Sequence, residues 1–171
     1  MLPAWLRDKA RFDPFMKSVK SALGPFVIDI ADAVADREEA TDLVVGPSHI
    51  AVRGRSVEYL SRYPYDITFR MWRTTGATTE WEKIIQRGYG DKMFYFFADE
   101  STASLSAWRV IDLHRFRSQW VSAESSIRCT DQANNDGKTG FRAVDSRSLE
   151  PGVQLGSWSL ERLTQKRTTA A

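Results

Sequence analysis

The order of short segments in the middle third of the chain limits its fold more than any other feature. An apolar run at 43–45 precedes Gly46 and Pro47, which are turn-forming residues, and a second strand-like segment follows them. This pattern predicts a β-hairpin over residues 42–54. β-Branched and aromatic residues alternate in direction over 65–73, which predicts a further strand.

A helix is predicted directly after these strands, over residues 79–87. Thr79 or Thr78 is its candidate N-cap, Glu82 lies early in the helix, and Gly88 is its candidate terminator. Strands followed by a helix and then by more strands indicate an α+β fold.

Other segments complete the predicted order of elements. Residues 2–23 have a loose helical pattern that is broken near Pro14. The remaining predictions are a helix over 26–40, strands over 92–99 and 106–113, a helix over 114–123, a turn-rich segment over 125–140, an edge strand over 141–149, and a short C-terminal helix or coil.

Composition limits the number of domains and the cellular setting. A chain of 171 residues with 42% hydrophobic content predicts one domain over 1–171, with peripheral ends at 1–24 and 164–171. The single cysteine excludes an intramolecular disulfide and a cysteine-based zinc cluster. The charged N-terminal segment lacks the apolar stretch of a signal peptide or membrane span. We therefore expect a cytoplasmic protein with no membrane partner.

The net charge of +2 does not by itself indicate nucleic acid as a partner. The type of basic residue is more informative, because 17 of the 24 basic residues are arginine. The planar guanidinium group suits phosphate and carboxylate better than a flexible ammonium group does.

One acid and one tripeptide carry the clearest chemical motif. Eight residues separate Asp42 from the tripeptide Ala-Val-Arg at 51–53, and both lie on adjacent predicted strands. This spacing resembles the PD-(D/E)XK nuclease superfamily, in which an acid on one strand and Glu-x-Lys on the next hold a divalent metal. The chain looks most like the uncharacterised nuclease-like proteins of phages and mobile elements. Here Ala51 stands at the position of the acid and Arg53 at that of the lysine.

The resemblance implies a restriction-endonuclease-like fold with a central mixed, mostly antiparallel sheet flanked by helices. A literal metal site is broken, because alanine cannot bind a metal and arginine stays protonated. In that superfamily the acids and the lysine can migrate to neighbouring elements. The candidate catalytic residues on this basis are Asp42, Asp66, Glu80 and Lys83, with Asp42 and Glu80 as ligands of Mg²⁺. The candidate nucleic-acid-binding residues are Arg53, Arg55, Arg70 and Arg73.

Ordinary structural interpretations stand beside each of these. Glu80 and Lys83 also fit a solvent-facing pair on a helix, and Asp42 also fits the start of a strand. Strand arginines often pair with local carboxylates, and the aromatic residues fit a core better than a base-stacking surface.

Three classes of function follow. The first is a nuclease-like protein with a degenerate metal site that binds nucleic acid, DNA rather than RNA, without cleaving it. The second is an active Mg²⁺-dependent endonuclease with a migrated site. The third is a protein-interaction or inhibitor module. The missing acid at Ala51 favours the first.

Overall fold

The computed structural model describes residues 10–23, 27–30, 43–45 and 47–159. The strands are β1 (Val27–Ile30), β2 (Leu43–Val45), β3 (Ser48–Ser56), β4 (Asp66–Arg73), β5 (Lys92–Asp99), β6 (Ser104–Asp112), β7 (Cys129–Ala133), β8 (Thr139–Asp145) and β9 (Gln154–Ser159). The helices are α1 (Met16–Leu23), α2 (Leu113–Ala123) and a π-helical segment (Glu82–Gln86). The 3₁₀ turns are Asp13–Phe15, Val57–Tyr59, Glu124–Ser126 and Ser146–Ser148.

The strands form two sheets. The larger has six strands in the order β1-β2-β3-β5-β6-β9, and the smaller has three in the order β4-β8-β7. Only β3 and β5 pair in parallel, and every other pairing in the described sheets is antiparallel. The predicted α+β class is confirmed. Strand β4, although it follows β3 in the chain, belongs to the second sheet.

Strand β5 lies at the centre of the core because both of its faces are covered. Met93, Tyr95 and Phe97 pack toward β4, β8 and α2, in one cluster of buried residues. Phe94 and Phe96 pack in a second cluster with Phe15 and Val19 of the N-terminal helical segment, which spans 10–23. Alternation of side chains along a strand produces this division. The protein therefore has α1 on one face of the larger sheet, and the smaller sheet with α2 on the other.

One close approach depends on a glycine of β3. A Cβ atom added to Gly54 would lie 2.6 Å from Cζ of Phe96 and 2.7 Å from Cδ1 of Phe12. These two rings themselves meet edge to face, with centroids 5.8 Å apart. The absence of a side chain at Gly54 thus lets the N-terminal helical segment pack on the sheet.

Several predicted elements are confirmed. The hairpin over 42–54 is formed by β2 and β3, which pair with Val45 opposite Ser48. The strands predicted over 92–99 and 106–113 are β5 and β6, and the helix predicted over 114–123 is α2. Asp112 caps α2, since its side chain accepts a hydrogen bond from the amide of Arg115.

Other predictions are wrong. Residues 27–30 form strand β1 and not the start of a helix. The rest of the helix predicted over 26–40 lies outside the described residues. The turn-rich segment 125–140 contains β7, and the predicted edge strand over 141–149 is β8, which is the central strand of its sheet. The chain after 150 continues into β9 rather than a helix or coil. These strands are stabilised by backbone pairing, β1 and β7 with the next strand in the chain and β8 and β9 with the more distant β4 and β6, which the side-chain pattern of each segment does not reveal.

No helix within the described part of the chain combines the length and apolar character needed to cross a membrane.

Candidate functional site

Glu80 lies at a polar junction between the two sheets. Its Oε2 atom accepts a hydrogen bond from Nη1 of Arg53 at 2.7 Å and another from the backbone amide of Arg70 at 3.0 Å. The side chains of Arg53 and Glu80 are only 23% and 16% exposed. Nε of Arg53 also donates to Oγ1 of Thr68 at 3.3 Å, and Thr68 lies 3.3 Å from the hydroxyl of Tyr95. The network therefore joins β3, β4 and β5.

The local sequence places Glu80 by capping the helical turn that carries it. The amide of Thr79 donates to Oε2 of Glu82 at 2.6 Å, and the amide of Glu82 donates to Oγ1 of Thr79 at 3.2 Å. This reciprocal pair is a capping box, as the candidate cap Thr79 predicted. The backbone hydrogen bond from Thr79 lowers the pKa of Glu82 below its ordinary value. The expected regular helix instead continues as the π-helical segment, which includes Lys83.

The described metal-site candidates do not come together. Asp66 begins β4 opposite Asp145, whereas Glu80 contacts the amide of Arg70, four residues further along the strand. That separation along an extended chain is about 13 Å. Within the described residues, no group of three or more His, Cys, Asp or Glu side chains could hold a metal ion. Asp42 lies outside the described residues, so the Mg²⁺ site of Asp42 and Glu80 stays a prediction.

The candidate arginines have different surroundings. Arg53 forms an ion pair with Glu80. The guanidinium of Arg55 lies over the rings of Tyr59 and Tyr63, with its central carbon 4.2 and 5.3 Å from their centroids. Arg70 and Arg73 are partly buried on β4, where Arg73 pairs with Thr139 at the end of the smaller sheet. The four arginines therefore differ in their surroundings, and their binding of nucleic acid stays a prediction.

A surface of arginine and tyrosine, which sequence reasoning missed, lies beside Arg55. We call the following residues the arginine–tyrosine surface: Arg55, Tyr59, Arg62, Tyr63, Tyr65, Arg128 and Arg147. The three tyrosines are 43%, 38% and 39% exposed, in chain order. The guanidinium of Arg147 lies 4.3 Å from the ring centroid of Tyr65. The surface thus presents exposed rings with guanidinium groups beside them.

Asp145 holds two arginines of this surface in place. Its carboxylate accepts hydrogen bonds from Nε and Nη2 of Arg147 at 2.9 and 2.8 Å, and lies 3.0 Å from Nη2 of Arg128. The hydrogen bonds from Arg147 hold the pKa of Asp145 below its ordinary value. The side chains of Arg128 and Arg147 remain 65% and 57% exposed.

An open cavity of about 510 Å³ adjoins the arginine–tyrosine surface. Its lining residues are Tyr63, Asp66, Ser125, Ile127, Arg128, Cys129, Thr130, Gln132, Ala143 and Asp145. Burial raises the pKa of Asp66, and the charge of Asp145 adds to that effect, while Arg55 opposes it. The volume lies in the range of small-molecule sites. Asp66 therefore belongs to this cavity and not to the junction around Glu80.

The two histidines meet at one carboxylate, although they are far apart in the sequence. Nε2 of His114 lies 2.8 Å from Oδ1 of Asp91, and the amide of His49 donates to Oδ2 of Asp91 at 2.7 Å. Arg117 donates to Nδ1 of His114 and to the carbonyls of Tyr89 and Gly90, each within 3.1 Å. This cluster ties the start of α2 to β3, which is a structural arrangement.

One sequence signal could have identified the arginine–tyrosine surface. The segment 59–65 contains three tyrosines and Arg62. Its only aliphatic residues are Leu60 and Pro64. Rings that are spaced among polar and turn-forming residues face solvent more often than rings in an apolar run. The sequence around Arg128 and Arg147 does not indicate that they belong to this surface, because only the folding of β7 and β8 brings them there.

No family model, no curated protein and no solved structure matches this chain.

Proposed function

We propose that this protein binds single-stranded nucleic acid on the arginine–tyrosine surface and does not cleave it. The observation that carries the proposal is the combination of three exposed tyrosine rings with arginines stacked on or placed beside them. Proteins that bind single strands combine cationic groups, which contact phosphates, with aromatic rings, on which unpaired bases stack. The resemblance to nuclease-like proteins favours DNA over RNA.

Two features support binding without cleavage. Ala51, at the position where the resemblance requires an acid, is buried with 3% of its surface exposed. Arg53, at the position of the lysine, is paired with Glu80 rather than directed to a substrate. A carboxylate that accepts hydrogen bonds from an arginine and from a backbone amide through one oxygen has that oxygen committed to the fold. An internal ion pair of Arg53 and Glu80 thus stands where the resemblance implies a metal site.

Arg62 gives the sharpest test of phosphate binding. It is exposed, and within the described part of the chain it makes no ion pair or hydrogen bond through its side chain, so its removal should leave the fold unchanged. Lys138 is a matched control, because it is also exposed but lies at the opposite end of β8 from Asp145. The length of that strand separates them by about 20 Å.

The experiment measures fluorescence anisotropy of labelled single- and double-stranded DNA and RNA over a series of salt concentrations. We expect tighter binding of single strands, unchanged by EDTA, and a smaller salt dependence for Arg62→Ala by about 0.7 in the slope of log K against log salt. Lys138→Ala should behave as the wild type. Equal effects of the two variants, or no binding of any strand, would overturn the proposal.

Tyrosine variants test base stacking separately from charge. Tyr63→Phe keeps a ring and should bind as the wild type, whereas Tyr63→Leu should weaken binding by about 1–3 kcal/mol, the usual value of one base stacked on an aromatic side chain. The same samples, incubated with Mg²⁺ or Mn²⁺, report cleavage. Metal-dependent cutting that is lost in Glu80→Gln would favour the active endonuclease instead. A chain that binds no nucleic acid would direct attention to a protein partner.

A further inference from the structure

Asp66 has an unusual position for a carboxylate. It lines the cavity and is partly buried, and the charges of Arg55, Arg109 and Arg147 act on it. Yet its carboxylate accepts no hydrogen bond from any residue in the described ranges. The buried side-chain atoms without a partner in the described residues are all arginine nitrogens, so the oxygens of Asp66 are open to the cavity and can accept hydrogen bonds from a molecule bound there. This observation points to a ligand that carries N–H groups.

The walls of the cavity limit the kind of ligand. A phosphate inside it would lie near the carboxylates of Asp66 and Asp145, whereas Arg128 at its edge attracts a phosphate outside it. Asp145 is already paired with two arginines, so Asp66 is the carboxylate whose oxygens remain as acceptors. The ligand should therefore be a flat neutral group inside, attached to a phosphate outside. A nucleobase meets both conditions.

The remaining side chains complete a site for a base. Tyr63 lines the cavity and is 38% exposed, so its ring is available as a stacking surface. Thr130 and Gln132 lie two residues apart on β7, so they share one side of the strand and supply donors and acceptors. Among the common bases, guanine presents two adjacent N–H donors on its Watson–Crick edge, and the two oxygens of one carboxylate can accept both.

We propose that the cavity binds a guanine base, with Asp66 accepting hydrogen bonds from its N1–H and N2 amino groups. The proposal rests on the proposed function where the guanine belongs to a bound strand, and it stands alone where the guanine belongs to a free nucleotide. Tyr63 stacks on the base, Gln132 or Thr130 donates to its O6 atom, and Arg128 contacts the attached phosphate.

Cys129 provides a direct reporter of the cavity. It is the only cysteine of the chain, it is exposed, and it lines the cavity. Alkylation by a maleimide therefore measures access to this one position. We expect GMP or a guanine-containing strand to slow alkylation at least tenfold, and AMP, CMP, UMP or a thymine strand to have little effect.

The hydrogen bonds are tested by changing the carboxylate of Asp66 in the protein and, separately, the N2 amino group of the base. Asp66→Asn should remove the preference for guanine while leaving the affinity for a thymine strand unchanged. Asp136→Asn is the matched control, because Asp136 is an exposed acid in the turn between β7 and β8 and lies outside the cavity. A strand with hypoxanthine in place of guanine lacks the N2 amino group, and should bind about tenfold more weakly than the guanine strand.

The outcomes separate this inference from the proposed function. Strands that bind equally whatever their bases, with no change in Asp66→Asn, would overturn the guanine site and leave the nucleic-acid surface standing. Protection of Cys129 by GMP without binding of any strand would establish a site for a free guanine nucleotide and overturn the proposed function. Unchanged alkylation with every nucleotide and strand would overturn the guanine site.

Discussion

The most informative perturbation is the removal of the charge of Glu80, because this residue is both a candidate metal ligand and the centre of a structural junction. Glu80→Gln keeps an oxygen that can accept from the amide of Arg70, but loses the charge that pairs with Arg53. Hydrogen bonds to charged groups contribute about 1.5–3 kcal/mol. Breaking a fully buried pair costs about 3–5 kcal/mol. Since both side chains retain some exposure, we expect Glu80→Gln to lower the free energy of unfolding by about 2 kcal/mol.

The assay is urea denaturation followed by circular dichroism and by tryptophan fluorescence. A double-mutant cycle with Arg53→Met should give a coupling energy of about 1–2 kcal/mol between the two positions. Glu150→Gln is the control, since Glu150 is exposed and its hydrogen bonds among the described residues use only backbone atoms: its amide donates to Gln119 and its carbonyl accepts from the amide of Val153. That variant should unfold at the wild-type urea concentration.

A stability equal to or above that of the wild type in Glu80→Gln would refute this reasoning. Residues kept for catalysis often reduce stability, so such a gain would indicate a functional acid. Melting temperatures measured with added Mn²⁺ distinguish a metal ligand from a structural residue. If Mn²⁺ raises the melting temperature of the wild type and not that of Glu80→Gln, then Glu80 holds a metal, as the resemblance to metal-dependent nucleases implies.

Three other perturbations test the packing and the charges. Gly54→Ala should reduce stability by about 1–3 kcal/mol, measured by urea denaturation, because its Cβ atom would collide with the ring of Phe96. Hydrogen bonds from Arg142 hold the pKa of Asp131 below its ordinary value, so their stabilising effect is present above the unfolded pKa of about 3.9 and is lost as the pH falls through the lowered value. Asp131→Asn should therefore flatten the pH dependence of the melting temperature in acid. Burial raises the pKa of Asp66, so its charge costs stability above that pKa, and Asp66→Asn should melt at a higher temperature at pH 7 but not at pH 3.

Elements with a strong local pattern were predictable from the sequence. Residues 93–98 are consecutive apolar positions, and the strand they form is buried on both faces, as such a run indicates. The hairpin of β2 and β3 follows from its turn residues, and α2 follows from the spacing of its apolar side chains.

The strands that were missed depend on backbone pairing with another strand and not on their own side-chain pattern. Every residue of β7 is exposed, and its composition is that of a turn, so only pairing with β8 makes it a strand. Strand β1 has apolar residues three apart, which fits a helix, but its backbone pairs with β2. Pairing between segments outweighs local propensity here.

The sequence did not predict which of the candidate site residues come together, because it does not reveal to which sheet each strand belongs. The sequence orders β3 before β4 and so predicts neighbours in one sheet, but β5 takes the place beside β3 and β4 pairs with β8. Arg53 and Glu80 consequently face each other across two layers, which joins them as a structural pair. Asp66 is brought beside Asp145 instead, because both lie at the same end of the smaller sheet.

The number of arginines predicts anion binding, but it does not reveal which of the arginines serve the fold. Arg53 and Arg142 each have a carboxylate partner of their own, whereas Arg128 and Arg147 share the single carboxylate of Asp145. A charged side chain that has no partner within the protein keeps its charge and its hydrogen-bonding atoms available to a ligand. By that criterion the informative residues are Arg62, which is exposed with no ion pair among the described residues, and Asp66, whose carboxylate lacks a donor there. The two proposals depend on these residues, since Arg62 would contact phosphate on the arginine–tyrosine surface and Asp66 would accept hydrogen bonds from a base in the cavity.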